Sequence, residues 1–310
     1  MHRFKHLCGT FAIDGTLARK ENDAVGERVP GSEGDGLETQ NILSTMTAMR
    51  NAVDIVQLRE RNIALTKSAI SASVTSDLMI INAINNIDEI DKIANTLAKR
   101  LREWYALHDP ELEHSTPEHR AFVEALLTAP ARSADTMGGT LTDTDIAILN
   151  DQASRIRDLY VQRDKLLVYL EETMRQHTPN IAAVAGGMIG GKLIALAGSL
   201  QRLATMPSGT VQLLGAETAL FRHLRNPRAR PPKHGIIFNH VLLQRAPKPL
   251  RGKAARAIAD KISIAAKVDR FKGAFIGDKL YAEIESKIIE AMKVGTARNE
   301  RERREAGGRA

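Results

Sequence analysis

The chain has 310 residues, enough for two domains with real cores, and its 44 Lys and Arg against 37 Asp and Glu give a net charge of +7. Aromatic residues are only 4% of the chain while aliphatic ones abound, which argues against a β-rich fold and for helices packed through Ala, Leu and Ile. The lone cysteine, Cys8, excludes an internal disulfide and fits a reducing compartment; the opening residues hold no apolar run of signal-peptide length.

Residues 1–25 suggest one or two short strands around Gly9 to Ile13. Residues 26–38, with four Gly, one Pro and four acids, read as a flexible linker. A region this small without a staple makes a marginal core, so residues 1–38 are expected to be partly disordered or to depend on a partner. A helix over 39–74 is marked by Met46, Met49, Val53 and Val56. The Ser/Thr-rich stretch 68–77 breaks it, with Ser76 or Asp77 as a cap.

From Leu78 to Leu107 the apolar residues Ile80, Ile84, Ile87, Ile90, Ala94, Leu97, Leu101 and Trp104 recur every three or four positions. Thirty helical residues span ~45 Å. Pro110 stops the helix, and 108–140 reads as a polar connector enclosing a short apolar turn at Phe122 to Leu127. A second long pattern starts after Thr142, with Asp143 and Asp145 in its first turn, and runs through Ile146, Leu149, Ala153, Ile156, Tyr160, Leu167, Leu170 and Met174. Together they predict an antiparallel hairpin with coiled-coil spacing, interrupted by Arg163. A hairpin alone cannot bury both seams. Residues 39–178 are therefore expected to dimerise, with Ile84, Ile87, Leu97, Leu101, Ile156, Leu167 and Leu170 as the dimerisation positions.

Pro179 opens the last region. Helices are expected over 180–205, 210–224, 250–268 and 277–294. Between them lie a break at Pro207-Ser208-Gly209, a Pro/Arg/Lys loop at 225–234 and a brief extended run at Ile236 to Phe238. The tail, 296–310, is a solvated charged run. The fold class is thus mainly α, with a short N-terminal region that holds one or two strands.

Residues 181–200 are mostly apolar with GxxxG spacings, but Lys192 sits mid-span and most of the rest is Ala and Gly. A soluble helix packed closely through small residues is the better reading than a membrane span. Gly186 to Lys192 also matches most of a phosphate-binding loop. The next residue is Leu193, not Ser or Thr, and no strand precedes it, so close helix packing again explains the glycines better. His223, His234 and His240 lack the cysteines or regular spacing of a zinc site, and no Ser-His-acid arrangement stands out. No catalytic, metal or cofactor site is expected.

The charge is concentrated. From Arg222 to Lys272 there are fourteen Lys and Arg against two acids, Asp260 and Asp269, so this segment is +12 and the remainder sums to −5. Arg222, Arg225, Arg228, Arg230, Lys233, Arg251, Lys253 and Arg256 form a polyanion footprint. Arginine suits bidentate phosphate contacts and stacking on bases, and RNA is favoured over duplex DNA because no duplex-reading motif is present. Glu217, six residues before His223, is open to two readings, an acceptor for base amino groups or an ordinary helix salt bridge.

The segments LGAETALFRHL, PPKHGIIF and RGKAARAIADKISIAAKVD, with the upstream LREWYALHDPEL and TPNIAAVAGGMIGGKLIALAGSLQRLATMPSGTVQLLGAE, resemble the Nop-domain family over about 68–295. More narrowly, they resemble the archaeal scaffold subunit of box C/D guide ribonucleoproteins. The resemblance implies a non-catalytic RNA-binding scaffold in the archaeal cytoplasm. Such proteins dimerise through the hairpin, and an all-helical Nop domain (179–295) grips kink-turn guide RNA with a small ribosomal-type kink-turn-binding protein. They recruit fibrillarin, which uses S-adenosylmethionine for 2′-O-ribose methylation in rRNA and tRNA processing. Carried onto this chain, the RNA-facing positions are Gly215, Ala216, Glu217, Arg222, His223, Lys233, His234, Arg251, Lys253 and Arg256. Thr218 stands where the family usually has Lys, removing one cation. Gly191-Lys192 replace the family's frequent Ala-Arg. At the amino terminus only GTFAIDG and a short stretch beyond it match the fibrillarin-binding domain. The alternative is a helical scaffold whose basic domain binds nonspecific nucleic acid or a protein partner.

Overall fold

The computed structural model describes residues 2–6, 9–14, 17–22, 55–128, 136–226 and 228–290. The linker at 26–38, Met46, Met49 and Val53 of the next predicted helix, and the tail lie outside them.

The chain divides into two compact units, 1–75 and 76–310. In the first, three strands rather than one or two, β1 (His2–His6), β2 (Gly9–Asp14) and β3 (Leu17–Asn22), form an antiparallel sheet in chain order. Arg3 pairs with Ala12, and Ala12 with Arg19. Short connections of two residues suit such a meander. Helix α1 (Ile55–Ser73) follows, with none of its residues buried. It ends later than the Ser/Thr-rich stretch suggests, with Ser73 Oγ donating to Ile70 O.

The second unit opens with α2 (Ser76–Tyr105), which pairs with α5 (Asp143–His177) as the predicted hairpin. Asp77 does not cap its own helix. Its carboxylate accepts from Leu200 N at 2.9 Å and so holds a later element. Thr142 caps α5 in a reciprocal box. Its side chain accepts from Asp145 N, and the Asp145 side chain accepts from Thr142 N.

The connector between the two long helices is itself folded. Pro110 starts a helix instead of merely ending one. It is the first residue of α3 (Pro110–Ser115), capped by Asp109, whose carboxylate accepts from Leu112 N at 3.0 Å. Helix α4 (His119–Leu127) buries Phe122 completely. There Arg102 donates to Glu113 Oε1 and Thr116 O, each at 2.6 Å, and lies 5.0 Å over the Phe122 ring. A core of its own fills this end, built from Ala94, Ala98, Leu101, Phe122, Leu149 and Ile156.

At the other end of the hairpin, Ile80, Ile84, Ile87, Leu170 and Met174 join the main core of the C-terminal helices. The single helix predicted over 180–205 is three: α6 (Pro179–Ala185), α7 (Gly187–Ala197) and α8 (Leu200–Thr205). The breaks fall at Gly186 (φ 80°) and Gly198 (φ 85°), conformations open to glycine at no steric cost. The bend between α6 and α7 is 115°, and no single described helix is long and apolar enough to cross a membrane. The small residues of α7 serve close approach. A Cβ at Gly191 would lie 3.0 Å from Ile84 Cγ1, and one at Gly190 2.6 Å from Ile181 Cγ2. Lys192, the lysine of the phosphate-loop pattern, pairs with Asp88 at 2.6 Å.

The helix expected over 210–224 is also split, into α9 (Ser208–Leu213) and α10 (Glu217–Arg225), around Gly215. Ile236 to Phe238 are not extended but lie in a 3-10 turn (Ile236–Asn239). Two helices surround the core side of the charged surface, α11 (Val241–Arg245) and α12 (Arg251–Arg270). Residues 277–290 form α13. The core face of α12 is mostly small (Ala254, Ala255, Ala259, Ala265, Ala266) with Ile258 and Ile262, which lets neighbours pack closely against it.

Of the seven side chains expected at a dimer face, five are fully or almost fully buried within the single chain: Ile84, Ile87, Leu101, Ile156 and Leu170. Leu167 packs against the main core, and only Leu97 is exposed, at 36%. The seam that the periodicity marks is the intramolecular one. A different stripe of α2 remains outside, with Met79, Ile93, Leu97 and Trp104 at spacings that place them on one side of the helix.

Candidate nucleic-acid interface

The charged surface is built from three segments: 215–225, 226–235 and the start of α12. Backbone bonds tie the first two together. Gly235 N donates to Gln212 O and Ile236 N to Leu214 O, both at 2.8 Å, and Gln212 Nε2 donates to Lys233 O at 2.6 Å. Only glycine allows this approach at 235, where a Cβ would lie 1.9 Å from Leu214 O.

The arginine loop is folded back on α10. His223 Nδ1 lies 2.5 Å from Ala229 O and donates to it, while Asn226 Oδ1 accepts from Arg228 N at 3.1 Å. These bonds shape the loop and leave its cations outward. Arg222, Arg225, Arg228, Arg230, Lys233, Lys253 and Arg256 are all exposed, and none forms an ion pair or side-chain hydrogen bond among the described residues. An exposed cation with no acid beside it keeps its full attraction for a polyanion. Beside them α10 exposes Phe221 and Leu224, at 57% and 66%, and Val241 is similarly open at the start of α11.

Arg251 is placed differently. Its Nε donates to Ala246 O at 3.1 Å, and its guanidinium lies 5.5 Å over the Phe238 ring. His234 stacks on the same ring, with centroids 4.7 Å apart and planes 16° from parallel. Burial holds the His234 pKa below its ordinary value, and the charges of Arg251 and Lys233 push it the same way. The imidazole is therefore neutral near pH 7, offering a donor and an acceptor instead of a charge. Phe238 sits at the centre of this stack and escaped the sequence reading. The signal was an aromatic four residues after His234 in a chain poor in aromatics.

Glu217 neither faces outward as a free acceptor nor forms a salt bridge. Its Oε1 accepts from Gly215 N at 2.7 Å, which locks the turn ahead of α10. Ala216 caps α10 without a side-chain bond, and Thr218 is exposed. His240 is buried and structural. Its Nε2 donates to Val184 O at 2.9 Å and its Nδ1 accepts from Leu242 N, with burial lowering its pKa. The three histidines thus belong to three separate hydrogen-bond or stacking arrangements. No group of three His, Cys, Asp or Glu among the described residues could hold a metal ion.

Fold and charge together define a helical protein with a long helical hairpin and a concentrated, unpaired cationic surface. The chain belongs to the Nop family. The family model, described as "snoRNA binding domain, fibrillarin", matches residues 86–133 and 124–290. An uncharacterised NOP5 family protein of Methanocaldococcus jannaschii is 39% identical over 253 residues, covering 74% of this chain and 61% of the relative. Nucleolar protein 58 of Neurospora crassa is 35% identical over 216 residues, covering 62% and 36%. Nucleolar protein 56 of Homo sapiens is 34% identical over 242 residues, covering 68% and 41%. The chain thus spans between about a third and three fifths of the length of these relatives. A crystal structure of a fibrillarin/Nop5p complex aligns with 93% of this chain and 99% of its own, with a TM-score of 0.48 and 23% identity.

Proposed function

We propose that the protein is a non-catalytic scaffold of an archaeal, cytoplasmic box C/D ribonucleoprotein. It grips a kink-turn guide RNA together with a small kink-turn-binding protein and positions fibrillarin for 2′-O-ribose methylation. The observation that carries this reading is the run of exposed, acid-free cations on 222–233, held in shape by the His223–Ala229 bond and the pairing of Gln212 with Lys233 and Gly235. Arginine forks suit phosphate and base edges, and the His234–Phe238–Arg251 stack offers a flat, neutral imidazole beside them. The exposed Phe221 and Leu224 suit a protein partner seated next to the RNA, so the surface reads a composite of both. The match to a family model whose description names snoRNA binding and fibrillarin supports the same reading.

The roles divide by geometry. Glu217 and His223 position the surface. Arg222, Lys233, Lys253 and Arg256 meet phosphate, and Arg251 fixes the aromatic stack. Gly215 and Ala216 form the turn that brings α10 to the RNA. The exposed stripe with Leu97 and Trp104, not the buried seam, is the face a second copy covers, which sets the distance between two methyltransferases. Any S-adenosylmethionine belongs to fibrillarin.

Gel-shift assembly with kink-turn RNA and the small protein tests the site. Arg222→Ala and His223→Ala should weaken assembly while the circular dichroism spectrum stays that of the parent. Normal assembly by both variants removes the proposal. A fibrillarin pull-down comparing the full chain with one lacking residues 1–38 tests recruitment, and loss of capture on deletion is expected.

A further inference from the structure

A second site lies at the opposite end of α12 from Arg251. Twenty helical residues separate the two ends by about 30 Å. Here α5, α6, Gly187 at the start of α7 and the segment after α12 line an open cavity of about 340 Å³, at the small end of ligand pockets. Pro179, Ala182 and Ala183 give it an apolar floor, Phe275 a wall, and Glu171 and Arg175 a polar rim.

The floor is rigid. The Asp269 carboxylate accepts from Asn180 N (3.1 Å), Asn180 Nδ2 (2.7 Å) and Ile181 N (2.9 Å), and Asn180 Oδ1 accepts from Ile276 N (2.7 Å). These bonds clamp the start of α6 to the end of α12 and to the Phe275 segment. The wall is open, because Phe275 is 53% exposed, and Phe271 on the same segment is 82% exposed. The rim is uncommitted. Glu171 and Arg175 are one turn apart on α5, yet neither side chain forms an ion pair or hydrogen bond among the described residues.

We propose that this cavity binds a guanine base. The exposed Phe275 ring offers a face on which a planar heterocycle can stack, beside the apolar Pro179, Ala182 and Ala183. The Arg175 fork offers paired donors to guanine O6 and N7, its best-matched edge. The Glu171 carboxylate accepts from guanine N1–H and the 2-amino group on the adjoining edge. Adenine in the same pose keeps only the N7 acceptor for the guanidinium, sets its 6-amino donor against the second Arg donor, and presents an unprotonated N1 and no 2-amino group to the carboxylate. None of these residues is among those assigned to the cationic surface, and the proposal does not rest on the kink-turn reading.

Calorimetric titration of the full chain with GMP, AMP, CMP and UMP tests it. GMP should bind saturably and at least tenfold more tightly than AMP. Phe275→Ala should weaken GMP binding at least tenfold. Glu171→Ala, a change on an exposed helix face, should erase the preference over AMP while the fold persists. Arg222→Ala should leave the preference for GMP over AMP unchanged, which separates this site from the phosphate-binding cationic surface. A single-stranded RNA with one guanine that displaces GMP identifies RNA as the source of the base; failure to displace it identifies a free nucleotide. Equal affinity for all four nucleotides, or unchanged GMP binding in both cavity variants, overturns the proposal.

Discussion

The hairpin and the cationic surface use the same charged residue types to opposite ends. On the hairpin and its tip, Arg100, Arg102, Arg120, Arg155 and Arg163 each face a carboxylate within 4 Å. On 222–256 the exposed arginines and lysines face none. The hairpin's charges answer one another and leave an apolar stripe outside. The C-terminal charges are held outward by backbone and histidine bonds. Net charge alone does not separate a structural face from a binding face; whether each cation has an internal partner does.

The largest effect should come from removing that asymmetry. Changing Arg222, Arg225, Arg228 and Arg230 together to Ala should flatten the slope of log affinity against log salt by about 3 units, at roughly 0.7–0.9 per lost phosphate contact. The matching change at Arg100, Arg120, Arg155 and Arg163 on the hairpin and its tip should leave the slope as it is. Filter binding across a salt series reads both.

Next in size is the hairpin's own core. Phe122→Ala should destabilise the 76–310 unit by about 3–5 kcal/mol in urea unfolding, since its ring is fully buried beneath Arg102. RNA affinity at concentrations of denaturant where the variant stays folded should match the parent.

A pH effect should follow from His240, whose pKa burial depresses. The unfolded chain binds the proton more readily, so stability is fully present above about pH 6.5 and is lost as pH falls toward the folded-state value. Thermal melts between pH 7.5 and 5 should show a falling midpoint, and a flatter profile in His240→Asn. The smallest effect belongs to Arg163→Ala. Its 2.6 Å pair with Asp91 is partly exposed, so about 0.2–1 kcal/mol is expected, shrinking with added salt.

Much of this architecture was legible in the sequence. The long helices follow from apolar spacing, and Thr142 with Asp145 marks a start that the structure makes into a reciprocal cap. Which apolar side of α2 stays exposed was not legible. Helix α2 carries apolar residues on two sides, and periodicity cannot say which side meets α5 and which stays outside. Leu97 and Trp104 therefore fell into the same pattern as Ile87 and Leu101. The helix breaks at Gly186 and Gly198 were hidden because glycine is tolerated within a helix until tertiary packing favours a turn. Ile236 to Phe238 looked extended because two β-branched residues and an aromatic suggest a strand. Their 3-10 turn is fixed by a pairing with Gln212 and Leu214 that local pattern cannot reveal. The cationic footprint was visible as composition, whereas the positioning roles of Glu217 and His223 needed coordinates.

Competition for the cationic surface tests the central claim most directly. Kink-turn RNA bound with its small protein partner is offered to the full chain at 150 mM salt against a hundredfold excess of duplex DNA of equal length. The complex should persist for the parent and vanish for the four-arginine variant. Displacement of the parent from kink-turn RNA by duplex DNA in proportion to its excess would contradict the account and leave only a nonspecific polyanion surface.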